Sequence, residues 1–290
     1  MKFYIGTAGW SYKDWVPHFY PKAQTGGFDW LSYYASYFNC VEVNSTYYAY
    51  MNPAIVNAWL RKIEDVESFK FTVKLHQDFT HKRKFTQENV LGVTYNLDLL
   101  AKAERLGGLL IQFPYSFQFN QPNIEHINRL KEIFQNYKSF IEVRHASWNN
   151  KEAIEFFKGN NLTLCTIDQP QIGSSISFDP IITSNTAYIR FHGRNYQSWF
   201  ANINSQEKQT YDEQSERYKY LYSPGEIVEI EQKIKEVQNR VDEIYVIMNN
   251  HPVANAVANA FELMHYLEDL KSMNIPENML AAFPRLKQLM

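Results

Sequence analysis

The sequence predicts an α/β protein of the (β/α)8 barrel class, in which eight parallel strands alternate with helices around a closed sheet. Three observations support this prediction. Short β-type runs alternate with longer stretches of helical periodicity, eight such runs can be found, and polar residues recur on one side of several of them. The open doubly wound sheet is the alternative. We expect a single barrel domain over residues 1–290, since α/β barrels routinely have this length.

Each strand prediction depends on a short run of β-branched, aliphatic or aromatic residues with turn-forming residues on either side. In chain order the predicted strands are Phe3–Gly6, Cys40–Asn44, Phe69–His76, Leu109–Phe113, Phe140–Arg144, Leu162–Asp168, Ala187–His192 and Ile244–Asn249.

The helices between these strands have recognisable boundaries. Asn52-Pro53 supplies an N-cap with a first-turn proline, and Ser223-Pro224-Gly225-Glu226 has the spacing of a capping box. Gly107 and Gly159 precede predicted strands, and we expect helices to end at them because glycine tolerates the left-handed C-cap conformation.

Two connections depart from the alternation. The stretch 169–186 lacks an amphipathic pattern, and the stretch 193–222, after the seventh strand, is the longest connection that follows a strand. A long segment of this kind in a compact domain is usually a lid or a binding loop, and its aromatic content argues against disorder. Its aromatic residues include Trp199, Phe200, Tyr211, Tyr218, Tyr220 and Tyr222.

Composition limits the classes of partner. The 29 basic and 31 acidic residues give a formal charge of −2, which provides no overall attraction to nucleic acid or to an anionic membrane. Cys40 and Cys165, the only cysteines, lie in predicted strands and are expected to be buried thiols. The run Met1–Gly6 has no apolar leader region and no stretch is long enough to cross a bilayer, so we expect a cytoplasmic protein. The sequence does not fix an oligomeric state.

Polar residues in the predicted strands recur with a period of two. Glu42 and Asn44 share one face of their strand, while Val41 and Val43 share the other. Because helices cover the outer face of a barrel with apolar contacts, the polar series is expected to point inward, near the strand ends where barrel enzymes keep their sites. We expect around this mouth Glu42, Asn44, Lys74, His76, Gln112, Glu142, Arg144, Thr166, Asp168, Arg190, His192 and Asn249.

These residues favour an enzyme that uses acid–base chemistry on a phosphorylated or otherwise anionic small molecule. Arg and Lys bind phosphate and carboxylate groups, and Arg offers a planar fork for two oxygens. We predict Glu142 or Asp168 as the general acid or base, with His76 or His192 moving a proton near neutral pH. Hydrolase, lyase and isomerase reactions all stay open. The predicted substrate-binding residues are Glu42, Asn44, Lys74, Gln112, Arg144, Arg190 and Asn249, with Arg194 and Tyr220 from the long connection.

Three other interpretations stay open. The charged residues could form a buried ion-pair network, although burying so many ionisable groups costs several kcal/mol each unless they serve a ligand or one another. Glu42, Glu142, Asp168 and a histidine could bind a divalent metal in a phosphodiesterase-like or nucleic-acid-processing enzyme. Interleaved Lys and Arg would repel that cation, so we assign no cofactor and no metal ligand. The overall charge disfavours a nucleic-acid substrate. The third interpretation is a non-catalytic protein that binds a small ligand.

Several signatures are absent, and some histidines are less informative. The sequence has no P-loop, dinucleotide-binding loop, His-Glu-x-x-His motif or Gly-x-Ser-x-Gly elbow, which disfavours ATP, NAD and serine-hydrolase chemistry through those devices. A histidine just past a strand, such as His81 or His145, is more often a hydrogen-bonding loop residue than a ligand-binding one.

A series of motifs spread along the chain is also similar to one known family. They are Gly6–Trp15, Phe19–Pro21, Val41–Tyr48, Lys74 with Thr80-His81, Gln112–Pro114, Glu142–Trp148, Arg190–Arg194, Tyr218–Tyr220 and Asn249–His251. Through these stretches the chain resembles the DUF72 family, which includes the bacterial YecE proteins.

The resemblance implies a TIM-like barrel and places the Trp10-Ser11-Tyr12 turn and Asn249-Asn250-His251 at the mouth, which adds Trp10, Tyr12 and Asn250 to the expected substrate-binding residues. It implies no catalytic residue, because the family is one of unknown function. One departure is that Val253-Ala254 follow His251-Pro252, where the family pattern leads us to expect a small Gly-containing turn.

Overall fold

The computed structural model describes residues 1–24, 26–199 and 215–290, in which nine parallel strands form one nearly closed sheet. Their order across the sheet is β6-β5-β4-β3-β2-β1-β9-β8-β7, so the two ends are consecutive in sequence. The predicted barrel class is confirmed. The strands are β1 (Lys2–Ala8), β2 (Cys40–Val43), β3 (Lys70–Lys74), β4 (Leu106–Gln112), β5 (Ser139–Glu142), β6 (Thr163–Leu164), β7 (Thr166–Asp168), β8 (Thr186–Phe191) and β9 (Glu243–Met248).

The predicted sixth strand is divided at Cys165 into β6 and β7. β6 pairs with β5, and the Cys165 N–H donates to Ile141 O at 2.9 Å, whereas β7 pairs with β8. The chain therefore changes partners within one strand, and this change joins the two ends of the sheet. The prediction of one domain over residues 1–290 stays a prediction.

Two predicted helix starts are confirmed by their caps. The Asn52 side chain accepts a hydrogen bond from Ala54 N–H, and Ser223 and Glu226 form a reciprocal capping box. None of the helices in the described ranges is long and apolar enough to cross a bilayer. The helices are α1 (Trp30–Ala35), α2 (Pro53–Lys62), α3 (Gln77–Thr80), α4 (Gln87–Lys102), α5 (Gln121–Ile133), α6 (Lys151–Gly159), α7 (Pro224–Val237), α8 (Asn255–Leu267) and α9 (Glu277–Ala282).

The predicted helix end at Gly159 is confirmed and that at Gly107 is wrong, and neither glycine provides a left-handed C-cap. Gly107 lies inside β4, where an added Cβ would come within 2.9 Å of Thr72 Cγ2. Gly159 is the last residue of α6 and has no left-handed backbone. The left-handed residues are Glu104 (φ 57°) after α4 and Asn161 (φ 52°) after α6, so an asparagine provides the turn after α6. Close packing accounts for the glycine at position 107.

The two faces of the strands pack differently, as the polar periodicity predicts. Val41 and Ile189 lie in the large cluster beneath the helices, whereas Tyr4, Tyr188 and Tyr245 belong to a smaller cluster inside the barrel. The rings of Tyr4 and Tyr245 stack with centroids 4.7 Å apart. Stacked aromatic side chains therefore fill the barrel interior next to the polar layer.

For the sixth strand the predicted direction is wrong. Cys165 and Ile167 belong to the interior cluster, so Thr166 and Asp168 face away from the barrel axis. The polar residues of this strand lie on the opposite side from those of β2, β5 and β8.

The loop after β9 contains two consecutive left-handed residues that are not glycine. Val253 has φ 50° and ψ 33°, and Ala254 has φ 64°. A β-branched residue is strained in this region because its Cβ approaches the backbone. These are the positions where a Gly-containing turn is expected from the sequence.

Replacing Val253 with Gly is expected to raise the free energy of unfolding by about 0.5–1 kcal/mol, because relief of left-handed strain exceeds the added chain entropy. The Val253 N–H donates to Asp14 Oδ2 at 2.7 Å, and glycine retains this backbone donor. Urea unfolding measures the change, and Val228→Gly on the exposed face of α7 is the control that should lose stability. If both variants lost stability, the backbone at Val253 would not be strained.

Candidate functional site

A cavity of about 550 Å³ lies at the carboxyl ends of the strands, where barrel proteins carry their sites. Every strand except β6, or the loop that follows it, contributes to the wall. Contributing residues in chain order are Tyr12, Asn44, Lys74, Gln112, Arg144, Gln169, Arg190 and Asn249. All of these except Gln169 were expected at the mouth, and the structure brings them together on one cavity wall.

A buried ion-pair network forms the floor. Arg190 donates from Nε and Nη2 to the two oxygens of Glu42, at 2.8 and 2.7 Å, and from Nη1 to Glu142. Arg144 donates from Nε and Nη2 to Glu142 Oε1, at 2.9 and 2.7 Å. Glu42 and Glu142 are fully buried and Arg190 is 1% exposed. Two guanidinium groups thus neutralise two carboxylates beneath the cavity.

This network decides the state of Glu142, one of the two predicted acid–base residues. Burial alone would raise its pKa, but Arg190 and Arg144 hold the pKa of this carboxyl well below its usual value. Glu142 does not line the cavity, and both of its oxygens accept from arginine. The geometry makes it a partner that positions the arginines.

His192 lies beside the network and is fully buried. Asn249 Nδ2 donates to its Nδ1 at 2.8 Å, while its Nε2 lies 3.5 Å from Glu142 Oε1. Burial and the nearby Arg144 lower the pKa of His192 to about 3, so the ring is neutral at physiological pH. It too lies outside the cavity wall, and its contact orients Asn249, which is on the wall.

Lys74 lies on the wall and takes no part in the ion pairs of the floor network. Its Nζ lies 4.3 Å from the centre of the Tyr47 ring, and in the described part of the chain it has no ion pair or hydrogen bond. Burial and the charge of Arg190 lower the pKa of this half-buried amine to about 7. A large share of Lys74 is therefore neutral near physiological pH.

His81 lines the cavity next to Lys74. Its ring packs edge-on against Tyr47 at 5.2 Å, and its Nδ1 lies 2.9 Å from the Thr80 hydroxyl. Burial, Lys74 and Arg144 lower its pKa to about 4. The expected loop hydrogen bond is present, and the neutral ring also faces the site.

The remaining wall is aromatic and basic. The Arg217 guanidinium lies 4.7 Å from the Tyr218 ring centre and 5.6 Å from that of Trp199. Tyr12 and His251 stack with ring centroids 4.4 Å apart. No described lining residue is an Asp or a Glu. Lining residues also hold four buried polar atoms without a hydrogen-bond partner among the described residues: Asn44 Oδ1, Gln169 Nε2, Arg217 Nε and His251 Nδ1.

A family model described as "Protein of unknown function DUF72" matches residues 4–281. The chain belongs to the DUF72 family. The resemblance stated from the sequence motifs is therefore confirmed.

The DUF72 chain has relatives of known sequence and structure. The UPF0759 protein YunF of Bacillus subtilis (strain 168) is 27% identical over 279 residues, covering 91% of this chain and 94% of YunF. The UPF0759 protein YecE of Escherichia coli (strain K12) is 29% identical over 146 residues, covering 50% of this chain and 49% of YecE. A DUF72 family protein from Thermotoga maritima, known from its crystal structure, is 32% identical, has a TM-score of 0.80 and covers 92% of this chain and 100% of its own.

Asp168, the other predicted acid–base residue, lies away from the DUF72 cavity. Arg194 donates to both of its oxygens, and the Tyr222 hydroxyl donates to Oδ2. Arg194 also donates to Glu226 Oε1 at 2.9 Å, which accepts from the Tyr220 hydroxyl as well. Asp168, Arg194 and Tyr220 thus join β7 to both ends of the long connection and to α7, and none of them is on the cavity wall.

Three more predicted site residues have other contacts in the DUF72 fold. His76 caps α3, stacks on Tyr50 at 4.1 Å and lies 3.2 Å from Asp78. Trp10 packs edge-on against Trp59 at 5.2 Å. Asn250 donates to Tyr220 O and Asn259 Oδ1, both at 2.8 Å. All three lie outside the cavity wall.

The alternative carboxylate metal cluster does not form in the described ranges. Glu42 and Glu142 are bound by Arg190, and Asp168 is bound by Arg194 on the other side of its strand. No group of three or more His, Cys, Asp or Glu side chains in those ranges is placed to hold a metal ion.

Several wall residues were not predicted as site residues from the DUF72 sequence. Tyr47, Tyr48 and Tyr218 lie in the motifs that carry the family resemblance, which is the signal that could have found them, whereas His251 was expected at the mouth from that resemblance. Two aromatic residues of the long connection, Phe200 and Tyr211, lie outside the described residues. The missed wall residues include Tyr47, Tyr48, His81, Tyr115, Gln169, Trp199, Arg217 and Tyr218.

Proposed function

We propose that this DUF72 protein is an enzyme that acts on a small anionic molecule bound in the mouth cavity. The charge of the wall carries the proposal: Lys74, Arg144 and Arg217 line the cavity, and no carboxylate is among its described lining residues. The acids beneath are neutralised by Arg190 and Arg144. The excess positive charge favours a phosphate or carboxylate group.

The aromatic residues indicate the rest of the ligand. Trp199, Tyr218 and the stacked pair Tyr12 and His251 present ring faces and edges to the cavity. Such side chains bind planar or apolar groups. We therefore propose a substrate with an anionic group at one end and a planar part at the other.

Turnover is proposed because the wall holds groups able to exchange protons. Lys74 and His81 both have pKa values lowered by burial, to about 7 and about 4, and both face the cavity. A half-buried amine with no ionic partner lowers stability, so function is the better reason to retain it. The acid–base role predicted for Glu142 or Asp168 passes in this proposal to Lys74 and His81.

Arg217→Gln is expected to weaken the binding of phenyl phosphate about 10- to 100-fold, the usual effect of losing a charge-assisted hydrogen bond. Isothermal titration calorimetry measures the dissociation constant. The matched control is Arg129→Gln, because Arg129 also lies over an aromatic ring, 4.6 Å from the centre of Phe85, and is not on the wall. Inorganic phosphate and phenol separate the anionic and aromatic contributions.

Two outcomes would contradict the proposal. If phenol bound as tightly as phenyl phosphate, the cavity would not select anions. If Arg217→Gln and Arg129→Gln bound phenyl phosphate with equal dissociation constants, Arg217 would not contact the anion. An anion recovered unchanged after long incubation with the protein would favour the non-catalytic binding protein.

A further inference from the structure

We propose that Lys74 is a nucleophile that forms an imine with an aldehyde or ketone carrying a phosphate or carboxylate group. This inference rests on the anion-binding function proposed above and names the substrate class: anionic carbonyl compounds.

The position of Lys74 suits a nucleophile. It is the last residue of β3, which pairs with β2 and β4, and its carbonyl oxygen accepts from the Thr46 hydroxyl at 2.6 Å. A fixed backbone thus presents a long side chain to the cavity. Among the described residues its Nζ contacts only the face of the Tyr47 ring, so no carboxylate there holds the amine protonated.

Lysines at the opposite end of the barrel lack this freedom. Lys2 Nζ donates to the Ser68 hydroxyl at 3.0 Å, and Lys70 Nζ donates to Glu104 O at 2.8 Å. Lys138 forms an ion pair with Glu243. Lys70 lies on the same strand as Lys74, four residues earlier, and provides a matched comparison.

The charges around Lys74 favour its neutral form. Arg190 and Arg144 are the nearby cations, and Glu42 and Glu142 are the nearby acids, each already bound by arginine. His81 lines the same cavity, and the charge of Lys74 contributes to lowering its pKa. Burial and adjacent cations are the usual means of activating a lysine nucleophile, and they place the pKa of Lys74 at about 7.

Imine formation joins the Lys74 amine to the carbonyl carbon of the substrate and releases one water molecule. The Lys74 lone pair attacks the carbonyl carbon, so a C–N bond forms and the C=O π bond breaks. The oxygen takes up a proton as the nitrogen loses one, which gives a carbinolamine. A second proton reaches the hydroxyl, which leaves as water while the nitrogen lone pair forms the C=N bond. The neutral His81 ring, which lines the same cavity, relays these protons between solvent and the reacting atoms, and Arg144 and Arg217 hold the anionic group.

Reductive trapping tests this reaction. The whole protein is incubated with glyoxylate and cyanoborohydride at about pH 7.5, and modified lysines are located by peptide mass spectrometry. We expect a saturable adduct on Lys74, at least about tenfold above that on Lys70, with competition by inorganic phosphate. Lys74→Met removes that adduct, and its unchanged circular dichroism shows that it folds.

Each outcome is decisive. Equal labelling of Lys74 and the exposed lysines, or an adduct that phosphate does not reduce, would overturn the imine. If glyoxylate raised the melting temperature of the protein but left Lys74 unmodified, the imine would be wrong while the anion-binding function stood. If glyoxylate, phosphate and phenyl phosphate neither bound nor modified the protein, both proposals would fall.

Discussion

Arg190→Met is expected to lower the free energy of unfolding by about 3–5 kcal/mol, because it leaves buried carboxylates without their cation. Glu42 would keep only the Tyr188 hydroxyl, which donates to its Oε2 at 2.8 Å. Glu142 would keep Arg144. Urea unfolding near neutral pH measures the loss.

A double variant is the control for this loss. Adding Glu42→Gln to Arg190→Met removes the uncompensated charge and should restore most of the stability. A loss below about 1 kcal/mol in the single variant would show that the guanidinium is not needed to compensate buried charge. The comparison also separates electrostatics from packing, since both variants lack the arginine stem.

The same network predicts a dependence on pH. In the wild type the pKa of Glu142 is lowered in the folded state, so its stabilisation is present above the unfolded pKa, about 4.5, and is lost as pH falls through the folded value. In Arg190→Met the carboxyl loses one of its two guanidinium partners, so it protonates more readily. The stability gap between wild type and variant should therefore narrow in acid.

Lys74→Met is expected to raise the free energy of unfolding by about 2 kcal/mol at about pH 6, after discounting a shift of 1.36 kcal/mol per pKa unit for partial exposure. The folded pKa of Lys74, about 7, lies below the unfolded value of 10.5. Between these values the unfolded chain binds the extra proton, so wild-type stability rises with pH. The advantage of the variant is largest below pH 7 and should disappear by about pH 10.5.

Lys70→Met is the matched control, because its amine donates to a carbonyl oxygen and lies at the opposite end of the same strand. A smaller gain is expected there. If Lys74→Met gained the same free energy of unfolding at about pH 6 and about pH 10, protonation of Lys74 would not destabilise the folded state. A protein that becomes more stable when one polar residue is removed commonly loses function with it.

The barrel could be predicted because each strand carries its own local signal. In β2 the valines pack beneath the helices and Glu42 points inward, so alternation alone gives the direction. The same alternation misleads in the sixth strand. There Asp168 accepts from Arg194 and Tyr222 on the outer side of the sheet. A polar face of a strand therefore does not mark the barrel interior when a loop provides polar partners outside.

The site could be predicted only in part. Lys74, Gln112, Arg144 and Asn249 reach the cavity because strand ends in a barrel converge. The pairing of Arg190 with Glu42, 148 residues apart, depends on contacts across the barrel, which one sequence does not reveal. That pairing decides which charged groups remain for a ligand: Arg190 is bound by buried carboxylates, whereas Lys74 has no such partner among the described residues.

Asp168 holds both ends of the connection that brings Trp199, Arg217 and Tyr218 to the cavity. Arg194, at the start of that connection, and Tyr222, at its end, both donate to this one carboxylate. Lengthening a loop whose ends are fixed costs little, about 0.6 kcal/mol for each doubling of its length. Evolution can therefore exchange the residues between these two anchors and alter ligand preference, while the strands of the DUF72 barrel stay as they are.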